Sequence, residues 1–260
     1  MSYDGGKGQA GVYQRIINQM PPHELYIEGC LGAGAVLRNK LPAAKSLGIE
    51  IDREVLQTLW TGSEVPNLSL LHDNVIHWLK YAGPGLRSRT LVYLDPPYLM
   101  STRRSERPIY RCEMTDDQHQ DLLHVLLSLP CMVMISGYWS SLYAWMLNGW
   151  RSISFEVMTR GGVPATEWLW MNFPEPVELH DYRYVGEGWR ERERIKKKVS
   201  RWKSKLSKMP TLERQALLAA LAELDAGRDV GSRLASPDDD PAGSSHHIRR
   251  GRQVKLSTSN

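Results

Sequence analysis

The sequence is poor in cysteine, and its three thiols, Cys30, Cys112 and Cys131, show neither pairing nor CxxC spacing. A disulfide framework and a zinc site are therefore not expected, and a reduced, cytoplasmic compartment fits. Long apolar runs are missing too. None approaches the roughly 18 residues of a membrane helix, and Met1 to Lys7 holds no apolar signal-peptide core. Neither a membrane span nor secretion by that route is expected. No internal repeat is visible.

What is present is an ordinary globular composition, 42% hydrophobic and 24% charged over 260 residues. That is enough for one α/β domain with a sizeable core plus an accessory segment. The net charge is only +4, but it is unevenly spread. Residues 189–208 hold ten Lys/Arg against two Glu, residues 209–260 hold seven of each sign, and residues 1–188 sum to −4. Positive charge is thus concentrated in one C-terminal segment.

Apolar, β-rich runs at 25–28, 47–51, 68–72, 90–94 and 131–136 alternate with stretches suited to helices at 36–41, 53–60, 75–80 and 115–129. The last opens on Thr115 as N-cap with acidic residues in its first turn. Alternating β and α units predict a parallel, doubly wound sheet. Two further runs, 151–158 and 166–172, alternate like strands around a glycine-bearing loop and predict a terminal antiparallel hairpin. After Gly188 the composition shifts. Ile195, Val199, Trp202 and Leu206 fall on one face of a helix whose other faces are Lys/Arg-rich. Leu212 to Ala226 predicts a second helix stopped by Gly227, and from Ser232 onward the composition predicts a disordered tail. The expected organisation is a catalytic domain at 1–188, a basic helical segment at 189–227 and a tail at 228–260.

The most specific signal is Asp95-Pro96-Pro97-Tyr98, directly after the strand ending Val92-Tyr93-Leu94. Ligands of doubly wound sheets sit beyond the carboxyl ends of strands. An aromatic amine is a poor nucleophile because its lone pair is delocalised into the ring. A carboxylate and a backbone carbonyl that accept both N–H hydrogens pull the nitrogen toward tetrahedral geometry and stabilise the positive charge it develops. Asp95 and the Pro96 carbonyl are candidates for those acceptors. Pro96 and Pro97 stiffen the backbone, and Tyr98 offers an aromatic face for an extruded base.

With these residues the sequence resembles the Dam-type, class alpha adenine-N6 DNA methyltransferases, especially compact phage or prophage members. The resemblance covers about residues 3–172 in the order cofactor motif, acidic strand ends, Asp-Pro-Pro-Tyr, late strands. It implies a Rossmann-like methyltransferase fold, S-adenosylmethionine as cofactor, double-stranded DNA as partner, and the cytoplasm of a bacterial or phage-infected cell. No obligate protein partner is evident. The cofactor loop is Tyr26-Ile27-Glu28-Gly29-Cys30-Leu31-Gly32-Ala33-Gly34, in which Glu28, Gly32 and Gly34 are candidate cofactor contacts. Gly29 and Cys30 replace the family's usual proline and aromatic residue. Tyr3-Asp4-Gly5-Gly6-Lys7 is similar to the family's N-terminal Trp-x-Gly-Gly-Lys element, which implies Tyr3 against the cofactor and Lys7 near its carboxylate or a phosphate. Glu50, with Asp52 close behind, is the implied ribose ligand, and Asp73 the partner of the adenine amine. Asp95 borders both cofactor and target.

Tyr138 and Trp139 are candidate borders of the target-base pocket, whereas the alternating Trp168 and Trp170 suit the core. Arg103, Arg104, Arg107 and Arg111, just past the tetrapeptide, and the helix cations Lys196, Lys197 and Lys198 are candidate DNA contacts. Only 74–90 separate the third strand from the tetrapeptide, leaving no room for a long recognition insert. Cytosine-N4 or RNA-amine methylation, and a non-catalytic DNA-binding protein on this scaffold, are the alternatives.

Overall fold

A computed structural model describes residues 7–8, 11–103, 110–158 and 162–233, with side chains up to 224. Strands β1 (Leu25–Gly29), β2 (Lys45–Glu50), β3 (Leu68–His72), β4 (Thr90–Leu94), β5 (Met132–Tyr138), β6 (Arg151–Met158) and β7 (Pro164–Met171) form one sheet in the order β3-β2-β1-β4-β5-β7-β6. The first five are parallel. β7 runs antiparallel to β5 and carries β6 as a hairpin partner. This is the expected doubly wound, mostly parallel sheet with a terminal antiparallel hairpin.

The alternation of side chains along each strand sorts the core into two layers. On β4, Leu91 and Tyr93 face one layer with Ile16, Ile17, Val36, Leu37 and Val55, while Val92 and Leu94 face the other with Val75, Leu79, Leu122, Leu123 and Leu126. Helices α1 (Val12–Ile17), α2 (Ala35–Asn39) and α3 (Arg53–Leu59) supply the first layer. α4 (Val75–Ala82), α5 (Asp116–Ser128) and α6 (Ser141–Met146) supply the second. All five residues of β4 are buried, and each fully buried Leu or Val stabilises the fold by about 1.5–3 kcal/mol.

α5 begins where expected. Thr115 Oγ1 accepts the Gln118 N–H at 3.2 Å and the Gln118 side chain accepts the Thr115 N–H at 2.8 Å, with Asp116 and Asp117 in the first turn. Trp170 is buried in the second layer and stacks on Trp168 at 6.0 Å. Strand β7 starts at Pro164 instead of Thr166.

The chain divides into two units, residues 1–199 and 200–260. Helix α7 (Trp189–Ser207) covers most of the basic segment, and α8 (Thr211–Arg233) follows. The expected stop at Gly227 is not observed, because one glycine costs a helix only about 1 kcal/mol and the residues after it continue the turn. The tail expected from Ser232 lies almost entirely outside the described residues. Among the described residues no helix is long and apolar enough to cross a membrane.

Candidate active site

Strand order reverses between β1 and β4, both of which pair to each other in parallel while their connections lead to opposite sides. At such a switch point the loops leaving the strand ends diverge and open a crevice. Here the crevice is a cavity of about 380 Å³ lined by Glu28, Gly32, Gly34, Glu50, Asp52, Asp73, Asp95 and Pro97, with Lys7 also on its wall. That volume suits a nucleoside-sized ligand.

The glycine turn after β1 is tightly built. Cys30 adopts a left-handed φ of 53°, and Gly34 follows at 60°. Trp60, at the end of α3, packs against this turn and donates its indole N–H to the Gly32 carbonyl at 2.8 Å. Burial pushes the Cys30 thiol up, with Glu50 and Asp95 adding to the shift, so it stays protonated.

The acidic strand ends converge on the cavity, and each has local work as well. Glu50 accepts the Gly32 N–H at 2.8 Å and the Asp52 N–H at 2.9 Å, one on each oxygen. Burial raises its pKa, which these two amides oppose. Asp52 caps α3 by accepting the Glu54 N–H, and Asp73 accepts the Asn74 N–H at 2.7 Å.

Glu28 is 4% exposed and accepts the Tyr26 hydroxyl at 2.7 Å. Burial, with Asp95 adding to it, pushes its carboxyl up to about 8 against the opposing Tyr26 bond. The unfolded chain releases this proton near 4.5, so the folded form binds more protons between those values. Stability from this group is full below 4.5, declines as pH rises toward 8 and is level beyond it. Glu28→Gln removes that decline. Thermal melts of variant and wild type are expected to diverge in the variant's favour from pH 5 to 8 and run parallel above; a constant offset across the range would rule out a buried, protonated Glu28.

Asp95, one residue past β4, is tied into a cluster of buried polar side chains. Its Oδ1 accepts Lys7 Nζ at 2.5 Å and the Ser136 hydroxyl at 2.9 Å. Lys7 also donates to the Tyr98 hydroxyl at 2.6 Å and lies 3.0 Å from Glu167 Oε1, while the Tyr98 hydroxyl donates to Glu167 at 2.9 Å. Burial of Lys7 would lower its pKa, but the carboxylates of Asp95 and Glu167 outweigh it and hold the ammonium well above the usual lysine value. Tyr98 is 9% exposed and packs at 4.4 Å on Tyr138. The ring expected to offer a free stacking face is instead largely a fixed wall. Trp139 beside it is 54% exposed.

Several expected residues are placed differently. Lys7 lies on the cavity wall and there forms ion pairs with Asp95 and Glu167. Arg103, 4% exposed, is held in a bidentate ion pair with Glu113, so its guanidinium is consumed inside the protein. Arg111, largely exposed, pairs with Glu54, lies 3.8 Å from Asp52 and contributes to the cavity lining. Tyr3, Arg104 and Arg107 lie outside the described residues. On α7, Lys196 is 3.8 Å from Glu193 and Arg194 pairs with Glu191. Lys197 and Lys198 are exposed and have no acidic partner among the described residues. Ser136, Glu167 and Trp60 are site residues that the motifs did not single out. Ser136 is a polar residue closing the apolar 131–136 run within β5 and Glu167 is the one acid in an apolar strand, which was the available signal. Among the described residues no cluster of His, Cys, Asp and Glu is arranged to hold a metal ion.

No family model matches the chain, and no curated protein is similar to it in sequence. Among solved structures, the chain is similar to precorrin 8w decarboxylase of Methanobacterium thermoautotrophicum, with 10% identity over 65% of this chain and 92% of that one and a TM-score of 0.43. It is similar to precorrin-6y C5,15-methyltransferase of Geobacter metallireducens GS-15, with 10% identity, 61% and 85% coverage and a TM-score of 0.41. It is also similar to the 23S rRNA methyltransferase ErmE, with 14% identity, 66% and 70% coverage and a TM-score of 0.41.

Proposed function

We propose that the chain transfers a methyl group from S-adenosylmethionine to the N6 amine of adenine extruded from double-stranded DNA. The observation that carries this reading is the state of Asp95 at the mouth of the crevice. Two donors fill the lone pairs of Oδ1, so the remaining acceptor capacity of the carboxylate lies on Oδ2. An amine hydrogen bonded there and a second bonded to the Pro96 carbonyl would turn the nitrogen lone pair toward the crevice and favour the charge it develops.

The crevice suits the cofactor by its donor set: Glu50 and Asp52 for ribose hydroxyls, Asp73 for the adenine amine, and the turn at Gly32 and Gly34 for close backbone approach. When bound, S-adenosylmethionine supplies an electrophilic methyl sulfonium. The protein's part is to orient the amine, fix the Asp95 carboxyl group through Lys7 and Ser136, and exclude water from the buried cluster behind it.

An aspartate at position 95 favours adenine over cytosine. The cations of residues 189–208 favour a polyanionic substrate, since ten within twenty residues exceed what solubility needs. The decisive assay incubates labelled S-adenosylmethionine with duplex DNA, with single strands and with RNA, then digests to nucleosides. Methyladenine from DNA is expected. Methylcytosine alone, or label confined to RNA, would assign a different acceptor, and cofactor binding with no transfer to any of them would favour the non-catalytic alternative.

Replacing Lys196, Lys197 and Lys198 together with Gln is expected to flatten the log–log salt dependence of DNA affinity by up to about 3, roughly 0.9 for each phosphate no longer neutralised. A slope unchanged from wild type would show that these side chains do not meet phosphates.

A further inference from the structure

Glu167 stands where the pattern of β7 calls for an apolar side chain. It shares a sheet face with Leu169 and Met171, which are fully buried in the first core layer, and it is itself only 3% exposed. A carboxylate buried there is costly unless paired and hydrogen-bonded. It has both: Lys7 at 3.0 Å and the Tyr98 hydroxyl at 2.9 Å. The same ammonium reaches Asp95 at 2.5 Å. Two carboxylates from two distant strands thus share one lysine directly behind the tetrapeptide.

We infer that Glu167 is a positioning residue for methyl transfer: by holding Lys7 between itself and Asp95, it fixes Asp95 Oδ1 to the protein and leaves Oδ2 for the acceptor amine. This rests on the amine-methylation reading above. The groups that face Lys7 are Asp95 from the turn beyond β4, Tyr98 and Tyr110 from the loop, and Glu167 from β7. Only Asp95 and Glu167 among them are carboxyl groups, and each is within ion-pair distance of Lys7 Nζ. In a dry site, Lys7 therefore owes its charge to these two. Removing the Glu167 carboxylate leaves the ammonium with one counter-charge and lets it lose its proton more readily. The hydrogen bond from Lys7 to Oδ1 then loses its charge, leaving the Ser136 hydroxyl as the other donor there, and Asp95 is held less firmly in the productive orientation. The Tyr98 hydroxyl, which donates to Glu167, loosens with it, so both ends of the turn depend on one acid.

The test compares Glu167→Gln with wild type in three measurements. Turnover kcat on the accepted nucleic acid is expected to fall about ten- to a hundredfold, the range for a misaligned reacting group, while affinity for S-adenosylhomocysteine stays within error. The alkaline limb of the pH–rate profile is expected to move to lower pH. The Nζ resonance of Lys7, followed by NMR on the folded chain without nucleic acid, is expected to titrate at lower pH than in wild type. Unchanged kcat together with an unchanged Lys7 titration would overturn the inference and leave Glu167 structural. Should Glu167→Gln fail to fold, the double variant K7M/E167L replaces the pair with apolar side chains of similar size, a change that proteins often tolerate. Low kcat with intact cofactor affinity then supports positioning, and wild-type kcat refutes it. If wild type transfers no methyl group to DNA or RNA, the functional reading fails. The Lys7 titration then still decides whether Glu167 sets the state of the lysine that holds Asp95.

Discussion

Asp95→Ala is expected to lower methyl transfer by about 10²–10³-fold or more, the usual loss when a preorganised charge-stabilising group is removed, while leaving cofactor affinity largely intact. The more informative substitution is Asp95→Asn. Lys7 and Ser136 both donate to Oδ1, so an asparagine must keep its carbonyl oxygen on that side. Its NH2 then takes the place of Oδ2 and presents donors to an amine that also donates. The shape is conserved and the one useful acceptor is gone, so Asp95→Asn is expected to be as inactive as Asp95→Ala. Single-turnover measurements at saturating cofactor check this. An asparagine variant that retains most of the wild-type rate would sink the assignment of Oδ2, and an alanine variant that does so would sink the role of Asp95 itself.

The largest expected effect on stability comes from Gly34→Ala. Gly34 has φ of 60°, and a Cβ built on it would lie 2.2 Å from Trp60 Cζ2 and 2.5 Å from Cη2. The indole cannot yield easily, because it is 2% exposed, bonded to the Gly32 carbonyl and covered by the Arg38 guanidinium at 3.9 Å. Backbone strain of about 1–3 kcal/mol and overpacking of similar size should combine to lower the melting temperature by about 5–20 °C for a chain of this length. Gly62→Ala is the control. Its φ is 73°, but nothing lies within 4 Å of the added methyl, so only the strain should be seen. Equal losses in the two variants would mean that packing against Trp60 contributes nothing.

Much of this arrangement was legible in the chain. A five-residue apolar run followed by Asp-Pro-Pro-Tyr announces a buried parallel strand with a carboxylate at its end, and Thr115 with the acidic residues after it announces a helix start. These are local signals, written within a few residues. The partners of Asp95 are not local. Lys7 lies 88 positions away and Ser136 41 positions away, and Glu167 arrives only because β7 returns antiparallel beside β5. Alternation in Thr166 to Met171 marks a strand but not which face meets which layer, so an acid on the inner face looks the same as one on the outer face until pairing is known. The arginines show the converse. Four cations beside a reactive motif read as phosphate contacts, yet Arg103 spends its charge on Glu113, and Arg111 stands beside Glu54 and Asp52, carboxylates whose proximity depends on where the loop closes.

The alternation of β4 between two core layers has a consequence for any attempt to transplant the reactive turn. Leu91 and Tyr93 seat in one layer and Val92 and Leu94 in the other, so the strand acts as a ratchet with one allowed tooth. Inserting or deleting a single residue upstream of Asp95 would exchange the occupants of the two layers and aim the carboxylate at the wrong side of the sheet. The portable unit is therefore the strand and its turn together with the lysine, serine and glutamate that receive it; the four residues of the motif, moved alone, would carry the letters without the aim.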